Sequence, residues 1–303
     1  MALFSFGKST QAPSSAASAA LLDGFSIEVM PRTAAKVDDF RALLPRGTRV
    51  YIAHIDGTPI EEMVTTAARL SEDGFTVMPH FPARIIQDEA MLGDWIARYQ
   101  GEAGVTEALL LAGGVSEPRG AFHSSMQMME TGLFERAGFT RLHVAGHPEG
   151  NRDIDPDGSD RMVGEALRWK QVFSERSDAE MALVTQFAFE AEPVLAWAAR
   201  LRDEGIALPV HVGIAGPAKL QTLIRFAVAC GVGPSLRVLQ KRARDVTKLV
   251  LPYTPDEIVA DLARQATPAH GIAGLHLFPL GGIVQSAEWA SSVLGQERRL
   301  RAV

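Results

Sequence analysis

The sequence predicts an α/β fold, a closed (β/α)8 TIM barrel in a single domain. Three observations predict it. Short β-rich runs alternate with amphipathic helical stretches from Asp23 onward. About eight such units are present, and parallel strands joined through helices close into a barrel at that number. The competing open, doubly wound sheet lacks its glycine fingerprint, because VMPRTA follows the first strand. The predicted strands are residues 24–30, 49–55, 75–81, 107–113, 141–147, 182–189, 209–216 and 274–280. Helical spacing is carried by TAAKVDDFRALL (33–44), TPIEEMVTTAARLSEDG (58–74) and EPVLAWAARLRDEG (192–205). Asp-Gly and Glu-Gly stop the last two. TPDEIVADLARQA (254–266) reads as an inserted helix in the seventh or eighth unit. Residues 1–22 are rich in Ala and Ser. Lys8, Gln11 and Pro13 interrupt any signal-like apolar run, so this stretch is predicted to be a flexible N-terminal arm or a docking helix, with the barrel spanning 23–303.

Composition narrows the function. With 47% apolar and 22% charged residues, the chain of 303 suits a globular protein with a large core. A net charge of −6 supplies no electrostatic footprint for nucleic acid or an anionic membrane surface. No apolar run approaches the roughly 20 residues that span a bilayer. Cys230 is the sole cysteine, which excludes an internal disulfide and a cysteine-rich zinc site and points to a reducing cytoplasm.

In a parallel barrel the reacting groups sit at the C-terminal ends of the strands. Glu28, His54, His80, His147 and Gln186 fall there, where a structural strand carries Val or Ile; His211 and His276 lie earlier in theirs. Strand alternation places Ser26, Glu28 and Met30 on one side and Phe25, Ile27 and Val29 on the other. If the second set packs under helices, Glu28 faces the barrel mouth. There a desolvated carboxylate has a raised pKa and suits a general acid. The alternative is a structural carboxylate tied to Arg32 or another cation. Gln186 suits the edge of a heterocycle or, equally, satisfies buried backbone. Glu28, His54, His80 and His147 also permit a divalent metal site, as in barrel hydrolases, although the one closely spaced pair, His143 and His147, would lie about 13 Å apart on a strand. The glycines of LAGGVSEPRG let backbone approach a planar or phosphate-bearing ligand, or simply make a tight turn.

Three stretches together resemble the methylenetetrahydrofolate reductase family, in order and in spacing, over about Gly24 to Gly295. FSIEVMPRT is similar to its opening strand with the essential glutamate. LVTQFAFE and the following GIAG are similar to its Thr-Gln-Phe-x-Phe and Gly-Ile strands, and GLHLFPLGG to its final strand. The resemblance implies a barrel that binds FAD and carries hydride from NAD(P)H to 5,10-methylenetetrahydrofolate, giving 5-methyltetrahydrofolate. Glu28 would then be the general acid at N10 and Gln186 a pterin contact. His54, His80, Gly113, Phe122, His123, His147, Asn151 and Lys170 would be cofactor contacts, Lys170 at the phosphates. Family members often associate through barrel helices, so a homo-oligomer is possible.

The chain also departs from the family. An Arg and an Asp after the fourth strand are replaced, leaving Leu111, Ala112, Gly113 and Gly114. A stacking Phe at the substrate appears as Leu220, and Asn-Arg after the last strand as Gly281 and Gly282. These departures keep three further readings open: a flavin-independent NADH-linked folate reductase, a non-catalytic folate-binding relative, and a metal-dependent hydrolase.

Overall fold

The computed structural model describes residues 16–229, 237–240 and 252–301, with side chains described through residue 295. Cys230 and residues 1–15 of the predicted arm lie outside the described residues.

Eight parallel strands close into a barrel in chain order. They are β1 (Ser26–Val29), β2 (Arg49–Ile52), β3 (Thr76–Pro82), β4 (Glu107–Leu111), β5 (Arg141–Gly146), β6 (Glu180–Ala188), β7 (Val210–Ala215) and β8 (Ile272–Phe278). All eight predicted strands are present, most of them shorter than predicted. β8 returns to β1 with Ser26 opposite His276.

The alternation seen in the sequence decides which residues face which layer. Ile27, Val29, Val50, Ile52, Leu275 and Leu277 are fully or almost fully buried in the core between strands and helices. Each such side chain contributes roughly 1.5–3 kcal/mol by leaving water. The intervening residues face the barrel interior. Tyr51, Met78, Leu109 and Val184 form a separate cluster there.

The helix α1 (Ala16–Leu22) occupies the end of the predicted arm. Ala19 and Leu22 are fully buried in the main core, so this stretch is a docked helix and not a flexible tail. Its small apolar residues pack mainly against the two helices that flank β8 in the chain, Asp256–Gln265 and Ile283–Arg301. The 33–44 stretch does not form the expected long helix. Pro31 opens a single turn, α2 (Pro31–Ala34), with its fixed φ at the first helical position. Asp39, in extended conformation, then starts a separate 3₁₀ turn over Phe40–Ala42 by accepting from the Arg41 N–H at 3.0 Å. The helix α3 (Ile60–Glu72) buries Met63, Val64, Ala67 and Leu70, one face of its 3.6-residue period. Gly74 terminates it with φ 88°. Further round the barrel come α4 (Glu89–Ala103), α5 (Ser125–Glu130), α6 (Leu133–Arg136), α7 (Arg161–Ser174), α8 (Ala191–Asp203) and α9 (Leu220–Ala229). The predicted insertion is α10 (Asp256–Gln265), ahead of β8, and α11 (Ile283–Arg301) follows β8. Among the described residues no helix is long and apolar enough to cross a membrane.

Candidate functional site

The barrel interior is unusually polar for a packed core, and it is organised in tiers. Nearest the N-terminal ends of the strands, Glu107 accepts from the Arg49 guanidinium at 2.6 and 3.1 Å. Arg141 also approaches Glu107, at 3.4 Å, and pairs with Glu180. One tier up, the Tyr51 hydroxyl meets His143 Nδ1 at 2.5 Å, and the His143 ring lies 4.9 Å from that of His211. Tyr51 and His143 are fully buried. Burial is the main cause of their altered proton affinities, pushing the phenol up and the imidazole well down. Both are therefore neutral at pH 7.

The top tier holds Glu28. Its carboxylate faces the mouth because Ile27 and Val29 are buried on the helix side. His80 Nε2 stands 3.2 Å from Glu28 Oε2, and His276 Nε2 3.8 Å from the same oxygen. Burial alone would raise the Glu28 pKa. Polar contact with His276, then His80, and their charge outweigh it, and hold the carboxyl at about 2. This overturns the raised pKa expected of a general acid: Glu28 is ionised at neutral pH. Nor is it tied to Arg32; its partners are the two imidazoles. His276, fully buried, has its own pKa lowered by burial, against the opposing pull of Glu28. The Ser26 hydroxyl lies 2.9 Å from His276 Nδ1. When Ser26 donates there, rather than to the Leu275 carbonyl at 3.5 Å, the His276 proton sits on Nε2, facing Glu28. Neither Nε2 has a well-aligned hydrogen-bond partner. Both therefore keep directional capacity beside the carboxylate, at the base of the mouth.

Above this base opens a cavity of about 660 Å³, within the range that takes a single drug-sized or cofactor-sized ligand. Gln186 forms part of its wall and is exposed to it. A bulge in β6 produces that orientation. Val184 pairs with His211 and Phe187 with Gly213, so β6 spends one extra residue there. Thr185 stabilises the bulge. Its hydroxyl donates to the Gln186 carbonyl at 2.8 Å and accepts from the Gly213 N–H at 2.9 Å. Gly213 is required here, since a Cβ would come within 2.5 Å of the Thr185 carbonyl oxygen.

The sequence-derived candidates divide into two sets. Glu28, Gln186, His54, His80, His147, Gly113 and Gly114 all line the cavity. His54 stacks on Trp95 at 4.7 Å and contacts the Thr58 carbonyl through Nε2 at 2.9 Å. Burial, with a smaller push from Lys170, lowers the His147 pKa to about 4. Leu220, Phe122, His123, Asn151 and Lys170 are not part of the lining. Leu220 is buried in a side cluster with Phe187 and Leu223, and the ring at the mouth from that helix is Phe226. Phe122 is buried in the main core. His123 is exposed on a loop, where its N–H donates to Gln127. The Asn151 side chain accepts from the Asp153 N–H within its own turn. The Lys170 ammonium is buried and donates to the Ala145 carbonyl at 3.0 Å, and burial lowers its pKa to about 8. Sequence reading missed His276, Ser26 and Phe226 as site residues. The His of GLHLFPL was set aside as too early in its strand, yet the β1–β8 register brings it to Glu28.

These positions bear on the implied groups. Among the described residues no group of three or more His, Cys, Asp or Glu is disposed to hold a metal ion. A flavin dinucleotide carries two phosphates that call for cations or a nest of N–H groups. Lys170 is turned away into the barrel wall, and the loop after β4 has Ala112 at the position of the arginine in the family it resembles. Among the described residues the only Lys or Arg in the lining is Lys36, on the β1 side. Among the described residues the β4–β6 side therefore offers no cation to a flavin pyrophosphate.

Fold and mouth together define a closed parallel (β/α)8 barrel with a carboxylate–imidazole base under one ligand-sized cavity. No family model matches the sequence. A solved structure is similar with a TM-score of 0.56 and 8% identity, covering 93% of this chain and 98% of that one. It is an uncharacterized protein from Clostridium thermocellum that binds two copies of 5-methyl-5,6,7,8-tetrahydrofolic acid. At that identity the likeness concerns the fold.

Proposed function

We propose that this chain binds a reduced folate in the barrel mouth and interconverts its 5,10-methylene and 5-methyl forms. The observation that carries the reading is Glu28 between His80 and His276 below a mostly apolar cavity whose wall presents Gln186. An ionised carboxylate is costly to bury without compensation, and this one is compensated by two imidazoles beside it. The folate bound by the structurally similar barrel supports the ligand class. The family resemblance of FSIEVMPRT and LVTQFAFE supports the reaction.

In this reading the Gln186 amide pairs with the pterin edge. His80, with Glu28 behind it, delivers a proton to N10 as the C–N10 bond breaks. The resulting N5 iminium takes hydride on its exocyclic carbon from NAD(P)H, giving the 5-methyl group and NAD(P)+. Glu28 acts by holding the imidazole and stabilising its cation, so the proton travels on His80 and not on the carboxyl. Proton assistance of this kind accounts for roughly 10²–10⁴ in rate.

A second reading is favoured by the burial of Lys170 and by Gly113–Gly114 in place of the family's charged turn: a folate-binding barrel without redox chemistry. Calorimetric titration with 5-methyltetrahydrofolate tests the shared ligand. NADH and NADPH oxidation with 5,10-methylenetetrahydrofolate, with and without added FAD, separates the two. Binding with turnover that His80→Gln lowers at least a hundredfold is expected. Binding without turnover in any arm leaves the second reading standing, and absence of binding removes both.

A further inference from the structure

The cavity is asymmetric at its rim. Among the described residues Lys36 is its only Lys or Arg. It follows α2 on the β1 side, is exposed, and is paired with no carboxylate among the described residues. Ile55, after β2, and Val284, at the start of α11 after β8, also line this cavity. They are 54% and 43% exposed, two of only five large apolar side chains so exposed among the described residues. Strands β8, β1 and β2 are neighbours, so the three side chains belong to one edge of the mouth. The opposite edge, on the β4 and β5 side, contributes Gly113, Gly114, Ala145 and His147 and no permanent charge.

We infer that this edge is the subsite for the anionic aryl tail of the ligand: Ile55 and Val284 pack on a benzoyl ring, and Lys36 pairs with the terminal carboxylates. The inference rests on the folate reading above and names a residue that discriminates tailed from tail-less pterins. Two exposed aliphatic side chains at a cavity lip suit a flat ring in transit to solvent. One unpaired ammonium on a chain of net charge −6 supplies a local cation for an acid at that point.

The test titrates wild type, Lys36→Gln and Lys36→Arg with 5-methyltetrahydrofolate and with 6-methyltetrahydropterin, which lacks the tail, at low and high salt. The expected result for Lys36→Gln is a loss of about three- to tenfold in folate affinity. Its salt dependence should flatten, Lys36→Arg should restore affinity, and tetrahydropterin binding should not change. Folate affinity unaltered by Lys36→Gln, or an equal loss for both ligands, overturns the subsite. Failure of wild type to bind either ligand instead overturns the folate reading on which it rests.

Discussion

Glu28 carries a prediction that needs no ligand. Its carboxyl falls from an ordinary 4.5 to about 2 in the folded chain. At about 1.4 kcal/mol per tenfold change in proton affinity, that amounts to about 3 kcal/mol held by the ionised form. The sign follows from proton counts. Between pH 4.5 and 2 the unfolded chain has taken up this proton and the native chain has not, so acid favours unfolding. The contribution is complete above about pH 5 and lost as pH falls toward 2. Glu28→Gln removes the titration. Urea unfolding followed by tryptophan fluorescence, from pH 7 to pH 2.5, should show the two proteins differing most near neutrality. The gap should shrink by on the order of 3 kcal/mol toward the acid end. A general acid with a raised pKa would behave oppositely, losing stability as pH rises toward neutrality. A stability gap that stays constant from pH 5 to 2.5, or widens in acid, refutes the assignment of His80 and His276 as partners that hold the carboxylate ionised.

Three further perturbations have definite outcomes. Lys170→Met removes an ammonium whose pKa burial lowers from 10.5 to about 8; stability near pH 7 should rise by up to about 3 kcal/mol, less whatever the bond to Ala145 contributes, while wild type alone gains stability from pH 8 to 10.5. A loss of stability on that substitution would mean the amine's bond to Ala145 outweighs its desolvation. Tyr51→Phe strands His143 Nδ1, whose other ring nitrogen is already without a partner, and should cost about 1–3 kcal/mol in chemical denaturation. The same change in a His143→Leu background should cost distinctly less. Gly213→Ala drives a methyl into the carbonyl oxygens of Thr185 and Gln186, at 2.5 and 2.6 Å. It should destabilise by about 1–3 kcal/mol and weaken pterin binding by moving Gln186, visible as a chemical-shift change at that amide.

The barrel was legible because its signal is repetitive. Eight β-rich runs at similar spacing, with helical periods between them, leave few alternatives, and parity within β1 was enough to aim Glu28 inward. The 33–44 stretch misled because Val37, Phe40 and Leu44 have helical spacing, while Asp39 competes locally for the Arg41 N–H and breaks the helix there. Within the site, residues at strand ends could be found one strand at a time: Glu28, His80, His54 and Gly113 all face the cavity. Contacts across strands could not. That His276 meets Glu28 depends on the β8–β1 register, a property of two segments about 250 residues apart. The pKa of Glu28 depends on it too, since the same buried carboxyl without those imidazoles would have moved up. Motif position likewise does not fix where a side chain points: Lys170 and Leu220 keep their places in the chain while their side chains turn into the wall.

The polar residues of the interior follow one rule that extends beyond the mouth. Arg49 and Tyr51 on β2, Glu107 on β4, Arg141 and His143 on β5, and Ser26 and Glu28 on β1 occupy inward positions two apart, so each tier is fixed by the one below it. The Arg49–Glu107–Arg141 tier holds β2, β4 and β5 in register through charge. Tyr51 then spans to His143 and lies 4.3 Å from the His276 ring, and His276 reaches Glu28. A barrel that needed only stability would fill these positions with Val, Ile and Leu, since buried ion pairs seldom exceed well-packed apolar residues in stability. Orientation is what the polar tiers add: each imidazole is constrained by a directional partner or a packed ring, and the mouth inherits a carboxylate whose position and charge state are set before any ligand arrives.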